Sequence, residues 1–176
     1  ALSSPRLLGL DVADIQGGVF MRCPLEYQVR WKELISSLVP SEHARKPKVA
    51  LVWQGNESFA EDYLRSIAAE KFERFLEHDE FQFSSISRAG EKNSLAHPKL
   101  INVGDGIGDP QDLAGCLSQM DLVISVDSGP AHLAGALGVP TLLLNREMGW
   151  FTFGVKPDKE FLQPSPWYNS MKILHQ

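Results

Sequence analysis

The apolar run LVISV (Leu122–Val126) leads directly into Asp127-Ser128-Gly129-Pro130, and a segment rich in small residues (Ala131, Ala134, Gly135, Ala136) follows. A buried strand that passes through a glycine turn into a helix start can receive phosphate. Gly129 allows close backbone approach, the open amides of the helix start donate to anionic oxygens, and Ser128 adds a hydroxyl. His132 lies on the first turn of that helix. A diphosphate suits this set of donors. The same residues also suit plain structural roles: Asp127 or Ser128 as a helix cap, Gly129 as a turn residue, His132 as a buried imidazole with a partner. The pattern is neither G-x-G-x-x-G nor G-x-x-x-x-G-K-[ST], which excludes the dinucleotide fingerprint and the P-loop.

The elements that must position this turn alternate along the chain. Apolar or β-branched runs predict strands at Lys48–Trp53, Glu80–Ser87, Lys99–Gly104, Leu122–Val126, Thr141–Leu144 and Met171–Leu174. Between them, Ala69, Phe72, Phe75 and Leu76 space as one face of an amphipathic helix over Ala68–His78. Asp109-Pro110 opens a helix running to Met120, with Asp109 as N-cap, Pro110 at the first position and Asp112 near the positive end of the dipole. The helix after Ser128 ends at Gly138. Such alternation predicts an α/β fold: a Rossmann-like three-layer domain with a mostly parallel sheet. In that fold ligands sit beyond the carboxyl ends of the strands. Here those ends are Gln54-Gly55-Asn56, Arg88 to Glu91, Gly104-Asp105-Gly106, Asp127-Ser128-Gly129 and Asn145-Arg146-Glu147.

Upstream, Leu25, Val29, Leu34, Ile35 and Leu38 predict a helix that stops at Pro40, and Ser41–Pro47 reads as a linker. Residues 1–46 are therefore expected to hold a connecting helix and linker, set apart from a Rossmann-like domain over 47–176. The opening ALSSPRLLGLDV suggests a fragment of a larger protein.

Composition narrows the classes. At 176 residues, 43% hydrophobic and 22% charged, the chain can bury a substantial core without disulfide or metal, and disorder and coiled coil are excluded. No apolar run reaches the ~18 residues of a membrane span. Seventeen basic and 22 acidic residues give a net charge of −5, which argues against general attraction to nucleic acid or anionic lipid. Cys23 and Cys116 are expected to be buried, reduced thiols of a cytoplasmic protein.

The stretch DLVISVDSGPAHLAGALGVPTLLL resembles the nucleotide-sugar-binding segment of bacterial heptosyltransferase-like glycosyltransferases (glycosyltransferase family 9-like). KVALVWQGN followed by Arg65-Ser66-Ile67 looks like the first strand and donor loop of the C-terminal half of these enzymes. Ser165-Pro166-Trp167-Tyr168 with Met171-Lys172 is similar to the closing segment of relatives fused to tetratricopeptide repeats.

The resemblance implies the C-terminal, donor-binding half of a GT-B fold, whose N-terminal half binds the acceptor and supplies the catalytic base. It further implies that Asp127, Ser128, Gly129 and His132 contact the sugar and pyrophosphate of a nucleotide-diphosphate sugar, which acts as donor substrate rather than cofactor. By position, Arg65 would neutralise the departing diphosphate, where heptosyltransferases proper carry Lys. Gly55 and Asn56 would lie at the donor loop, and Arg88 and Glu91 where base and ribose sit. Each also has an ordinary reading: Arg65 as a solvated cation, Gly55-Asn56 as a strand-end turn, Arg88 and Glu91 as a surface pair. His43, His78, His97 and His175 read as surface residues, and Trp150, Phe151, Phe153, Trp167 and Tyr168 as core or domain-edge packing.

No metal is expected, because no DxD-like carboxylate pair occupies a suitable loop. With the acceptor half absent, the isolated chain is expected to be inactive. The alternative is a non-catalytic nucleotide-binding or protein-interaction module. A flavodoxin-like receiver is disfavoured, since Gln54-Gly55-Asn56 stands where an acidic cluster is needed.

Overall fold

The computed structural model describes residues 7–56, 58–87, 93–145 and 162–175. Seven strands form one sheet: β1 (Lys48–Val52), β2 (Gln82–Ser85), β3 (Leu100–Asn102), β4 (Leu122–Val126), β5 (Thr141–Asn145), β6 (Gln163–Pro164) and β7 (Met171–His175). Their order is β3-β2-β1-β4-β5-β7-β6, parallel throughout except for the short β6, which runs antiparallel to β7. The first five strands follow the 3-2-1-4-5 order of a doubly wound dinucleotide-type fold. In that order the chain turns to opposite sides from β1 and β4, and the crevice between them is where ligands are received.

Strand residues alternate between two buried faces, as a parallel sheet covered on both sides requires. Ala50, Val52 and Val123 pack with the helices α1 (Leu25–Leu38), α2 (Pro110–Leu117) and α3 (Gly129–Leu137). Val49, Leu51, Phe83 and Ile124 pack against Ala69, Phe72 and Leu76 on the opposite face. That second covering element, Ala69–Glu77, is a 3-10 helix and not the α-helix its spacing predicts. Ala69, Phe72 and Phe75 recur every third residue, which is the period of a 3-10 turn and keeps them in line toward the sheet.

Helix α1 buries only part of the apolar pattern that predicts it. Leu25, Val29 and Leu38 are exposed, whereas Trp31 and Ile35 are buried among the residues of the sheet core. Trp31 Nε1 donates to Asp112 Oδ1 (3.2 Å), which also receives Arg30 Nη1 (2.8 Å), and Gly108 N–H donates to Asp112 Oδ2 (3.0 Å). Asp112 sits in the first turn of α2 as expected, and is in addition a buried anchor between α1 and α2. The helix cap beside it is as predicted, with Asp109 Oδ1 accepting from Gln111 and Asp112 amides at 2.8 Å. At the far end of α3, Gly138 adopts φ +78, the left-handed stop that glycine accommodates.

Cys23 and Cys116 are buried and free, and burial pushes the Cys116 thiol up to about 12. Trp167 and Tyr168 pack beside Ala131, Leu143, Met171 and Ile173, as expected. His175 departs from the surface expectation: it is buried, with Nε2 3.0 Å from Gln163 Oε1. Trp150, Phe151, Phe153, Arg146 and Glu147 lie outside the described residues. Among the described residues no helix is long and apolar enough to cross a membrane.

Candidate functional site

A cavity of about 310 Å³ opens at the crevice between β1 and β4, lined by Val52, Gln54, Gly55, Asn56, Arg65, Ile86, Ser87, Ser128, Gly129 and Pro130. Five residues singled out from the sequence thereby meet, although Gly55 and Gly129 are far apart in the chain. Arg65 is the one cation among the described lining residues.

The wall beyond β1 is a loop held by its own side chains. Arg65 Nε donates to Asp62 Oδ1 at 2.7 Å, and the two side chains are 17% and 11% exposed. Ser66 Oγ donates to Asp62 Oδ2 (2.6 Å) and accepts from the Gly55 amide (2.9 Å). The Gly55 amide, expected to face a phosphate, is therefore engaged within the loop. What the glycine provides is space, since a Cβ there would collide with the Asp62 carboxylate and the Arg65 guanidinium. The Arg65 guanidinium carbon also lies 5.0 Å from the centroid of the Phe59 ring. Asn56 shapes the turn by accepting from Ser58 N–H (3.0 Å) and Ser58 Oγ (2.8 Å).

The wall beyond β4 is the start of α3, with Ser128 in the N-cap position. Ser128 makes no side-chain cap; its Oγ lies 3.0 Å from Ser125 Oγ, which itself donates to the Val126 carbonyl. The Ser125 proton being committed, Ser128 is the donor in this pair, so its hydroxyl is not the free donor expected. The helix start is also poorer in open amides than expected. Pro130 has none, and Ala131 and His132 both donate to the Ser128 carbonyl (3.1 and 3.3 Å). That leaves the Gly129 amide as the donor of the first turn without an internal partner. Gly129 is exposed, has no positive φ, and an added Cβ would meet nothing within 4 Å. Neither a special turn conformation nor packing requires a glycine here, and the space beside it is open to the cavity.

Asp127 is buried and engaged, and is not part of the cavity lining. His132 belongs to a second cavity of about 550 Å³, lined by Met21, Ile107, Leu113, Leu133, Ala136 and Tyr168 among others, and shared with the first through Gly129. There His132 Nδ1 and Tyr168 Oη share a hydrogen bond of 2.9 Å with the rings edge to face. Burial lowers the His132 imidazole to about 4, so the ring is neutral at pH 7 and adds no charge to an anion site. Gly135 completes the arrangement: a Cβ at this position would run into the Tyr168 ring. Arg88 and Glu91 lie outside the described residues. Among the described residues no group of three His, Cys, Asp or Glu side chains is placed to hold a metal. Asp62 was not singled out from the sequence, and Ser66 only as a neighbour of Arg65, though the spacing of Asp62, Arg65 and Ser66 at i, i+3 and i+4 was available as a signal.

Residues 111–147, most of α2 through β5, match the family model of glycosyltransferase family 9 (heptosyltransferase). The glycosyltransferase family 9 structure from Veillonella parvula DSM 2008 superposes with TM-score 0.60 at 16% identity, covering 97% of this chain and 46% of that one. The E. coli ADP-heptose LPS heptosyltransferase II gives TM-score 0.58 at 13% identity, covering 88% of this chain and 44% of that one. The chain thus spans about half the length of these solved structures. Comparison with curated proteins found no match. The chain thus shares the α/β fold of these structures, and its segment from α2 through β5 resembles the heptosyltransferase family pattern.

Proposed function

We propose that this domain binds the nucleotide-diphosphate sugar of a glycosyltransferase, with the diphosphate in the crevice between Arg65 and the Gly129 amide. The observation that carries the reading is the meeting of a cation and an open helix-start amide on one cavity at the β1/β4 crevice. Guanidinium and amide are both suited to phosphate oxygens. In the full reaction an acceptor oxygen bonds to the anomeric carbon while the bond from that carbon to the diphosphate oxygen breaks. The acceptor proton passes to a base on an acceptor-binding half that accompanies this domain. Negative charge gathers on the departing diphosphate, where a fixed cation and amide lower the barrier.

Calorimetric titration with inorganic pyrophosphate and with nucleoside diphosphates tests the reading. Saturable binding is expected, weakened by roughly ten- to a hundredfold in Arg65→Gln. No binding by the folded wild-type chain overturns it. The 176-residue chain alone is expected to transfer no sugar, because reactants need both walls of the cleft to reach attack distance. Transfer by the isolated chain at enzymatic rates would place the catalytic groups elsewhere.

A further inference from the structure

Arg65 is held on two sides before any ligand arrives, in space left by a glycine. Its Nε edge is taken by Asp62 Oδ1, the Phe59 ring lies against the guanidinium, and Gly55 leaves the room the pair occupies. Asp62 in turn is tied through Ser66 Oγ to the Gly55 amide at the end of β1. We infer that Asp62 is a positioning residue of the diphosphate site, holding the Arg65 guanidinium by its Nε edge so that its remaining donors are set at the crevice. This rests on the reading of the crevice as a diphosphate site.

Two effects of Asp62 on an anion oppose each other. Its charge offsets that of Arg65, so removing it would tighten binding if screening dominated. Its grip also fixes a long side chain that would otherwise have to be ordered by the ligand. The burial of the pair decides between them. An arginine side chain only 17% exposed and stripped of its partner carries a poorly solvated lone charge, and it swings toward water and away from the crevice. Removing Asp62 therefore weakens anion binding even though it deletes a negative charge. That sign separates positioning from screening.

The test titrates wild type, Asp62→Ala, Asp62→Asn, Arg65→Gln and the Asp62→Ala/Arg65→Gln pair with inorganic pyrophosphate, with melting temperatures on the same samples. Asp62→Ala is expected to bind roughly two- to tenfold more weakly, and the double variant to match Arg65→Gln alone. Asp62→Asn, which keeps the shape and one acceptor, is expected to fall between wild type and Asp62→Ala and serves if the alanine variant does not fold. Nitrogen-15 spectra of the unliganded protein supply a second readout: the Arg65 Nε–H signal is slow to exchange in wild type and fast in Asp62→Ala. Unchanged or tighter pyrophosphate binding in the Asp62 variants overturns the inference, as does an equal loss on the Arg65→Gln background. If wild type fails to bind pyrophosphate while the Nε–H signal still depends on Asp62, the diphosphate reading fails and the clamp alone survives.

Discussion

Two cavities meet at Gly129, and they are built from different materials. The crevice cavity is the smaller, about 310 Å³ against 550 Å³, yet it alone of the two holds the guanidinium, with the Gly129 amide at their common edge. The larger one is walled by Met21, Ile107, Leu113, Leu133 and Ala136, with a neutral imidazole and a phenol as its polar groups beside the capping Asp109. No cation stands among its described lining residues. Size would select the second cavity for a ligand; charge selects the first for a diphosphate. Where a highly charged group is to be bound, the placement of one cation outweighs volume, because an unpaired anion in an apolar pocket loses its hydration without replacement.

The strongest way to break this contrast is to fill the point the cavities share. Gly129→Val adds a side chain where nothing lies within 4 Å, so the fold loses little and the space beside the amide closes. Losing the one charge-assisted hydrogen bond of about 1.5–3 kcal/mol from the Gly129 amide weakens the pyrophosphate complex roughly ten- to 150-fold. The melting temperature should stay within a few degrees of wild type. A stable Gly129→Val variant with normal affinity would move the diphosphate off the α3 start.

The α3 wall was legible because its signals are contiguous: LVISV, then Asp127-Ser128-Gly129, then small residues closing at Gly138. The same holds for the Asp109-Pro110 cap. What the sequence concealed is which partner each group takes once the chain folds back on itself. The buried face of α1 is chosen by Trp31 finding Asp112, 81 positions away, and no periodicity within residues 25–38 contains that partner. The loop wall hides similarly. Gly55 reads as a turn residue until Asp62 and Arg65 fold back over it, and its amide looks available until Ser66 takes it. Likewise, counting helix-start amides from sequence overestimates them, since Ala131 and His132 turn inward to the Ser128 carbonyl.

A milder probe acts on the apolar cavity alone. Burial lowers the His132 imidazole to about 4, below the 6.5 of an unhindered ring. Above pH 6.5 the ring is neutral in both folded and unfolded chains. Between 6.5 and about 4 the unfolded chain binds the proton and the folded one does not, so stability falls with falling pH through that window. The ceiling is about 3 kcal/mol, and water around the part-buried ring cuts it to about 1–2 kcal/mol. Urea melts of wild type and His132→Gln at pH 7.5 and 5 should show the extra loss in wild type only. Parallel losses in the two proteins would mean that the ring titrates normally.

The smallest expected effect is the most discriminating for the contrast itself. If the diphosphate lies wholly in the crevice, His132→Gln should leave pyrophosphate affinity at pH 7 within about twofold, the range of substitutions that touch no essential contact. The resemblance to heptosyltransferases implied that His132 touches sugar and pyrophosphate together; its neutrality and its place beside Tyr168 argue that it does not hold the charged part. Chelator should be equally silent, since a guanidinium charge and an amide donor stand in for the positive charge that a divalent ion would otherwise provide. A tenfold loss in His132→Gln would join the two cavities into one anion site. A loss on chelation reversed by magnesium would show that Arg65, with its charge already shared with Asp62, leaves part of the diphosphate for a cation to hold.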